Sequence, residues 1–199
     1  MPEVSLTTFL DFVSKSGMAK LGVVREWKNK PKYHPSRDYY KPVRDTIVGL
    51  HESGGAMAAL DGLLLNLSSD SKVQNYEAVI QGYRKWRGRK GLTWFEPPNR
   101  TWTHAELDIN VNPELGLEIN GEPHVIKLYF KADTLSKGRI AVVNRLMNLA
   151  CAEESPEGSV MSILDLRRAR LHMLAMPNDD VDTQLKAEVA FWMSAWPNV

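Results

Sequence analysis

Two groups of side chains in this 199-residue sequence have types and spacings that could do chemistry. The first is basic and aromatic: Lys20, Arg25, Trp27, Lys28, Lys30, Lys32, Tyr33, Arg37, Tyr39, Tyr40, Lys41 and Arg44, extended by Arg84-Lys85-Trp86-Arg87-Gly88-Arg89-Lys90. Lys and Arg neutralise phosphates and aromatic planes stack unpaired bases, so this pattern points to single-stranded nucleic acid, DNA or RNA, with Arg84, Lys85, Arg87, Arg89 and Lys90 as its contacts. A plainer reading of the same run is a helix end whose cations complement the C-terminal dipole, with Gly88 as its cap. The second group is Glu114 with Lys127 and Lys131. Taken alone, Glu114 opposite Lys127 is a cross-strand ion pair on a solvated face, contributing about 0.2–1 kcal/mol.

The remaining reactive residue types carry no pattern. His34, His51, His104, His124 and His172 are scattered without metal-ligand spacing, and His124 falls on an apolar strand face, as a hydrogen-bonded core histidine would. Cys151 is the single cysteine, which excludes an intrachain disulfide and a tetracysteine zinc site; it implies a reducing, cytoplasmic setting and a small core residue rather than a nucleophile. There is no GxSxG, phosphate-binding glycine loop or HExxH. Trp94, Trp102, Trp192 and Trp196 read as core aromatics, although a last helix ending in an exposed Trp196 would be a homodimer surface.

Composition is that of a packed protein, with 43% hydrophobic and 25% charged residues. No run of about 18 apolar residues occurs, and Met1 to Leu10 lacks the basic start and long apolar stretch of a secretory signal, so no membrane association is expected. The net charge of +1 hides an asymmetry: residues 1–100 carry 16 Lys+Arg against 10 Asp+Glu, and residues 101–199 carry 9 against 14. Either an anionic partner sits on the first half or the two halves attract each other.

These residues need elements to position them. Leu6, Phe9, Leu10 and Val13 recur at helical spacing behind Ser5, and Gly17 ends or bends that helix. Pro31, Pro35 and Pro42 make Lys28–Pro42 a loop. Helical pieces follow around Val43–Leu50 and Met57–Leu67, interrupted at Gly54-Gly55. Ser71-Lys72-Val73-Gln74 matches a capping box, and Val73, Tyr76, Val79, Ile80, Tyr83 and Trp86 form the stripe behind it. From Trp102 the period becomes two: Leu107–Val111 and Leu115–Ile119 alternate, Asn120-Gly121 offers a type I′ turn, and Val125–Phe130 returns. That register places Leu115 opposite Ile126 and Glu114 opposite Lys127. A helix capped near Asp133 or Thr134, strands at Val160–Leu166 and Ala169–Leu174, and a helix from about Asp182 complete the chain.

The order from Ser71 onward is helix, three strands, helix, strand. With Pro113-Glu114 before one strand and lysines on the next, residues 71–166 resemble the αβββαβ core of the PD-(D/E)XK nuclease superfamily, which includes the restriction endonucleases. In that family an acid on the second strand and an acid-x-lysine on the third hold a divalent metal and orient a water, because phosphodiester hydrolysis needs charge neutralised at the phosphate beside a nucleophile. The resemblance implies Glu114 as the first acid and Lys127 or Lys131 as the lysine, which makes these three the catalytic candidates. The second acid is missing, because Val125 and Tyr129 stand two positions before the lysines. Glu118 or Asp108 could supply a migrated carboxylate, so Asp108, Glu114 and Glu118 are the candidate ligands for Mg2+ or Mn2+.

The expected fold is α+β: a mixed central sheet of four to five strands with an αβββαβ core, flanked by helices and an N-terminal helical layer. One domain spans 1–199, with a helical and basic part at 1–70, the core at 71–174 and a C-terminal helix at 175–199. The function expected is that of a nucleic-acid-associated protein with a nuclease-like fold and an incomplete or rearranged active face. The alternatives are a non-enzymatic interaction or scaffold protein, dimeric through its last helix, and a small-ligand pocket between helices and sheet.

Overall fold

The computed structural model describes residues 1–31, 38–65, 67, 69–173 and 179–199. In chain order the elements are β1 (Glu3–Ser5), α1 (Leu6–Ser14), α2 (Met18–Lys28), α3 (Lys41–Glu52), α4 (Ala59–Leu65), α5 (Asp70–Arg87), β2 (Leu92–Phe95), β3 (Arg100–His104), β4 (Leu107–Val111), β5 (Leu115–Ile119), β6 (Glu122–Tyr129), α6 (Lys137–Cys151), β7 (Val160–Asp165), β8 (Arg170–Met173) and α7 (Asp179–Ala195). The class is α+β, with a mixed five-stranded sheet ordered β2-β5-β6-β7-β8 and a three-stranded sheet ordered β1-β4-β3. No helix among the described residues is long and apolar enough to cross a membrane.

The five-stranded sheet is covered on both faces. Leu115, Leu117, Ile126, Leu128, Leu164 and Leu166 join Val43 and Ile47 of α3 and Tyr76, Val79, Ile80 and Tyr83 of α5 in one core. Val125, Tyr129, Met161 and Ile163 join the apolar sides of α1, α2, α6, α7 and the three-stranded sheet in the other. The N-terminal helices are thus divided between the faces. Double coverage explains why β6 reads as a nearly continuous apolar run rather than a clean alternation.

The hairpin forms as its turn dictates. Asn120 and Gly121 adopt φ of 53° and 95°, the left-handed pair a type I′ turn requires. Leu115 then pairs with Ile126 and Leu117 with His124. β6 continues through α6 to β7, which lies parallel to it.

Several boundaries differ from the sequence reading. Leu107–Val111 does not belong to the central sheet: β4 pairs in parallel with β1 and antiparallel with β3. Its alternation, Leu107, Ile109 and Val111 buried and Asp108 and Asn110 half-exposed, is that of a sheet covered on one side only. The strand that fills its expected place beside the hairpin is β2, so the αβββαβ order is α5-β2-β5-β6-α6-β7 with the β3–β4 hairpin inserted. The helix α2 has no counterpart in the sequence reading. The cap of α5 is Ser69, which leaves Ser71 inside the first turn. The cap of α6 is Ser136, because Asp133 pairs with Lys15 at 3.0 Å and Thr134 Oγ1 accepts from Arg168 at 2.8 Å. The last helix starts at Asp179. Trp196 follows that helix in a 3₁₀ turn and is half-buried, stacked on Trp192 at 6.4 Å with its carbonyl accepting from Lys28, so it is not an exposed helix end. Lys32, Tyr33, Arg37 and Pro35 lie outside the described residues, as do Leu174 and the start of the expected C-terminal segment.

Part of the charge asymmetry is met within the fold. Lys15–Asp133, Lys20–Glu188 and Arg100–Glu154 each join a base of the first half to an acid of the second. Lys20 and Glu188 are nearly buried, at 12% and 8% exposure, between α2 and α7.

Gly82 lets α5 lie directly on the chain after β7, since a Cβ there would stand 1.6 Å from the Leu166 carbonyl oxygen. Gly82→Ala should therefore lower stability by about 2–4 kcal/mol in urea unfolding. Gly22→Ala, in open space on α2, should raise it by about 0.5–1 kcal/mol. A second expectation concerns pH. His51 Nε2 sits 2.7 Å from the Tyr83 hydroxyl, and burial, with the nearby charge of Arg87, pulls its pKa from 6.5 to about 4. Burial also lowers the pKa of His124 and His172. Below the ordinary value the unfolded imidazoles take up protons that the folded ones refuse, so stability should fall as pH drops from 6.5 to about 4. The urea midpoint of His51→Gln should depend on pH less steeply than that of the parent over this window.

Candidate functional site

Lys127 shares its face of β6 with Val125 and Tyr129, and that face is buried. Its side chain is 1% exposed, against the solvated pair that the sequence suggested. Glu114 lies just before β5, and its N–H donates to the Ile126 carbonyl at 3.0 Å, which sets the carboxylate over the adjacent strand. Glu114 Oε1 accepts from Lys127 Nζ at 2.5 Å and Oε2 from the Leu128 N–H at 2.8 Å. The Glu114 side chain thereby continues the hydrogen-bond ladder past the end of β5. Lys127 Nζ also donates to the Asn112 carbonyl at 3.4 Å.

Beside Glu114 opens a cleft of about 90 Å³. α1 contributes Thr7, Leu10 and Asp11 to its wall; Asp38, Tyr40 and Arg44 come from the entry and first turn of α3; Leu128, Tyr129, Phe130 and Lys131 close it. The location is the carboxyl end of β6, next to its parallel partner β7, where ligand sites of open sheets commonly lie. Arg44 Nη1 donates to Asp38 Oδ2 at 2.8 Å. Burial disfavours the Arg44 charge, but the hydrogen bond and charge of Asp38, with Glu114 and Asp45, outweigh it and hold the guanidinium above its ordinary pKa. Lys131 Nζ stands 2.6 Å from Asp11 Oδ1, an ion pair between the end of β6 and α1. Tyr40 stacks on Phe130 at 4.9 Å and 16°, while Arg167 donates to the Tyr40 hydroxyl and the Phe130 carbonyl.

Of the catalytic candidates, Glu114 and Lys127 are in contact, while Lys131 lines the same cleft as Glu114 but pairs with Asp11. The metal candidates are not. Asp108 is on β4 in the other sheet, with Oδ1 accepting from Thr103 at 2.6 Å. Glu118 is exposed opposite Pro123, four residues and roughly 13 Å along β5 from Glu114. Val125, where the resemblance would want a second acid, is fully buried in the core shared with α1, α6 and α7. Among the described residues no group of three or more His, Cys, Asp or Glu could hold a metal. Both Glu114 oxygens are already engaged, so the residues present do not fit a resident Mg2+ or Mn2+. Asp11, Asp38 and Arg44 complete the cleft without having been expected there. Asp11 is an ordinary polar position of an amphipathic helix, and only the meeting of α1 with α3 gives it a role.

The basic run lies at the other end of the sheet. Asn75 and Tyr76, early in α5, touch Tyr39 beside the cleft. Arg87 is twelve residues further, roughly 18 Å along the axis, next to the hairpin tip where Asn120 and Gly91 bond each other. Arg84 is held by Asp61 and the Met57 carbonyl, Arg87 by the Gly88 carbonyl and Lys90 by the Trp86 carbonyl. Lys85 and Arg89 are exposed. Cys151 is fully buried, and burial pushes its thiol up to about 11, so it is no nucleophile. His124 is bonded to Ser162 and Glu122, both at 3.2 Å.

In comparison with known proteins, no family model matches this chain and no curated protein shows significant similarity to it.

Removing one partner of a buried ion pair strands the other, at a cost of about 3–5 kcal/mol, whereas replacing both can be nearly neutral. Lys127→Met and Glu114→Gln should each lower stability by an amount in this range, and the double variant should recover much of the loss. Additive losses in a urea double-mutant cycle would show that Glu114 and Lys127 are not coupled.

Proposed function

We propose that the chain is a nucleic-acid-associated protein on a nuclease-like scaffold whose active face has been rearranged, so that it binds without cutting. The observation that supports this is the buried Glu114–Lys127 pair beside the cleft, at the start of the second strand and on the third of the α5-β2-β5-β6-α6-β7 order. Those are the positions at which PD-(D/E)XK nucleases carry their first acid and their lysine. The rearrangement is the loss of the second acid to Val125 and the use of both Glu114 oxygens inside the fold. Strand contact falls to the far end of α5, where Lys85 and Arg89 face solvent and Arg84, Arg87 and Lys90 add charge beside them.

A second reading, a non-enzymatic interaction protein, is favoured by a different observation. Arg84, Arg87 and Lys90 satisfy carbonyls of their own helix end and of Met57 just before α4, as a C-terminal cap would.

Fluorescence anisotropy with single-stranded DNA and RNA oligonucleotides separates the two. Nucleic-acid association predicts affinity that falls by roughly 0.7 log units per log unit of salt for each phosphate contact. Replacing Arg84, Lys85, Arg87, Arg89 and Lys90 with Ser should then weaken binding and flatten the slope. Incubation with Mg2+ or Mn2+ should leave the oligonucleotides uncut. No binding at low salt would select the interaction-protein reading, and metal-dependent cleavage lost in Glu114→Ala would overturn the non-cutting one.

A further inference from the structure

We propose that the free edge of β3 pairs antiparallel with β3 of a second copy of this chain, joining two three-stranded sheets into one. β3 lies outermost in the order β1-β4-β3, and Thr101 and Thr103 are exposed along it. The β3–β4 hairpin fixes which backbone groups face outward. Its two-residue loop, Ala105-Glu106, holds both residues left-handed at φ of 45° and 64°, which makes His104 and Leu107 the first hydrogen-bonded pair. Alternation then gives the backbone groups of Arg100, Trp102 and His104 to β4 and turns those of Thr101 and Thr103 away from it. Asp108, opposite Thr103, shows the same parity: its N–H points to the far side of β4 and donates to the Pro2 carbonyl at 3.0 Å. Neither Thr101 nor Thr103 has a backbone partner on the outer side among the described residues.

The sequence of that edge selects a second copy over an unrelated strand. Thr101-Trp102-Thr103 reads the same in both directions. A two-fold axis through Trp102 therefore sets Thr101 against Thr103 of the second copy on both sides of the axis, and in each such pair the outward N–H and C=O groups exchange hydrogen bonds. Trp102 meets its own counterpart at the non-hydrogen-bonded position between them, where side chains approach most closely. Its ring is half-buried, stacked on His104 at 5.4 Å, on the face that adjoins the core, and the second ring covers what the fold leaves exposed. The threonines share the opposite, polar face, where Thr–Thr pairs are favourable. Arg100 comes opposite His104 of the second copy with its charge already met by Glu154. No Lys, Pro or bulge within Arg100–His104 blocks the approach, the devices by which sheet edges are usually kept apart. A strand this short buries less than the roughly 1,000 Å² of a permanent interface, so the dimer is a transient one that forms as concentration rises. None of these residues takes part in the nucleic-acid reading.

Sedimentation velocity and NMR-detected amide hydrogen exchange on the full chain test this together. Between about 10 μM and about 1 mM the sedimentation coefficient should rise toward that of a dimer. The Thr101 and Thr103 amides, open to water in the monomer, should become protected over the same range. Thr101→Pro removes an outward N–H and leaves the β4 ladder whole, so it should weaken association at least roughly tenfold through the bonds lost on both sides of the axis. Lys85→Ser should leave association unchanged. A chain that stays monomeric to about 1 mM overturns the proposal, as does a dimer in which Thr101 and Thr103 remain unprotected. Both outcomes are read on the unaltered protein, whatever Thr101→Pro does to folding. Association undiminished in a folded Thr101→Pro variant overturns it as well.

Discussion

A lysine ammonium inside a sheet covered on both faces must find its counter-charge within the fold, and most of the site's geometry follows from that requirement. Lys127 is placed there by strand alternation, between Val125 and Tyr129, and is almost without access to water. Leaving an ionised amine unpaired at such a position would cost several kcal/mol. Glu114 meets the demand, and its second oxygen takes the Leu128 N–H, so one carboxylate satisfies a buried charge and a strand-end donor together. The start of β5, the end of β6 and the position of Asn112 are thereby tied to one point.

The cleft is the outer side of that point. α1 belongs to one core and α3 to the other, and the end of β6 is where both reach the same edge of the sheet. Each brings a carboxylate, and each carboxylate meets a cation, Asp38 with Arg44 and Asp11 with Lys131. The resulting wall is rich in charge yet nearly neutral, a setting unlike the acid-rich one that a divalent metal needs. Tyr40, stacked on Phe130 and held by Arg167, keeps the α3 side in place through contacts that also reach Asn75 of α5.

The two ends of the sheet therefore differ in kind. At the hairpin tip the chain turns in a two-residue loop beside a helix end rich in Arg and Lys. At the opposite end lies a small, charge-balanced cleft with an aromatic wall. α5 spans the distance between them, which separates the exposed bases Lys85 and Arg89 from the cleft.

What the sequence by itself determined is what neighbours along the chain decide. Asn120-Gly121 needs no distant partner to form its turn, and once it forms, the period of two puts Leu115 against Ile126 and Glu114 beside Lys127. The stripes of α1 and α5 and the core placement of His124 and Cys151 were legible for the same reason. Tertiary structure decided whatever depends on which surfaces meet. Leu107–Val111 alternates as any one-sided strand does, and only the parallel approach of Glu3–Ser5 took it out of the central sheet. Asp133 and Thr134 look like helix caps until Lys15 and Arg168 claim them. The burial of Lys127, and the meeting of Asp11, Asp38 and Arg44 with Glu114, came from packing α1 and α3 against one strand end, because side-chain solvation is set by what covers a face and not by the residues on it.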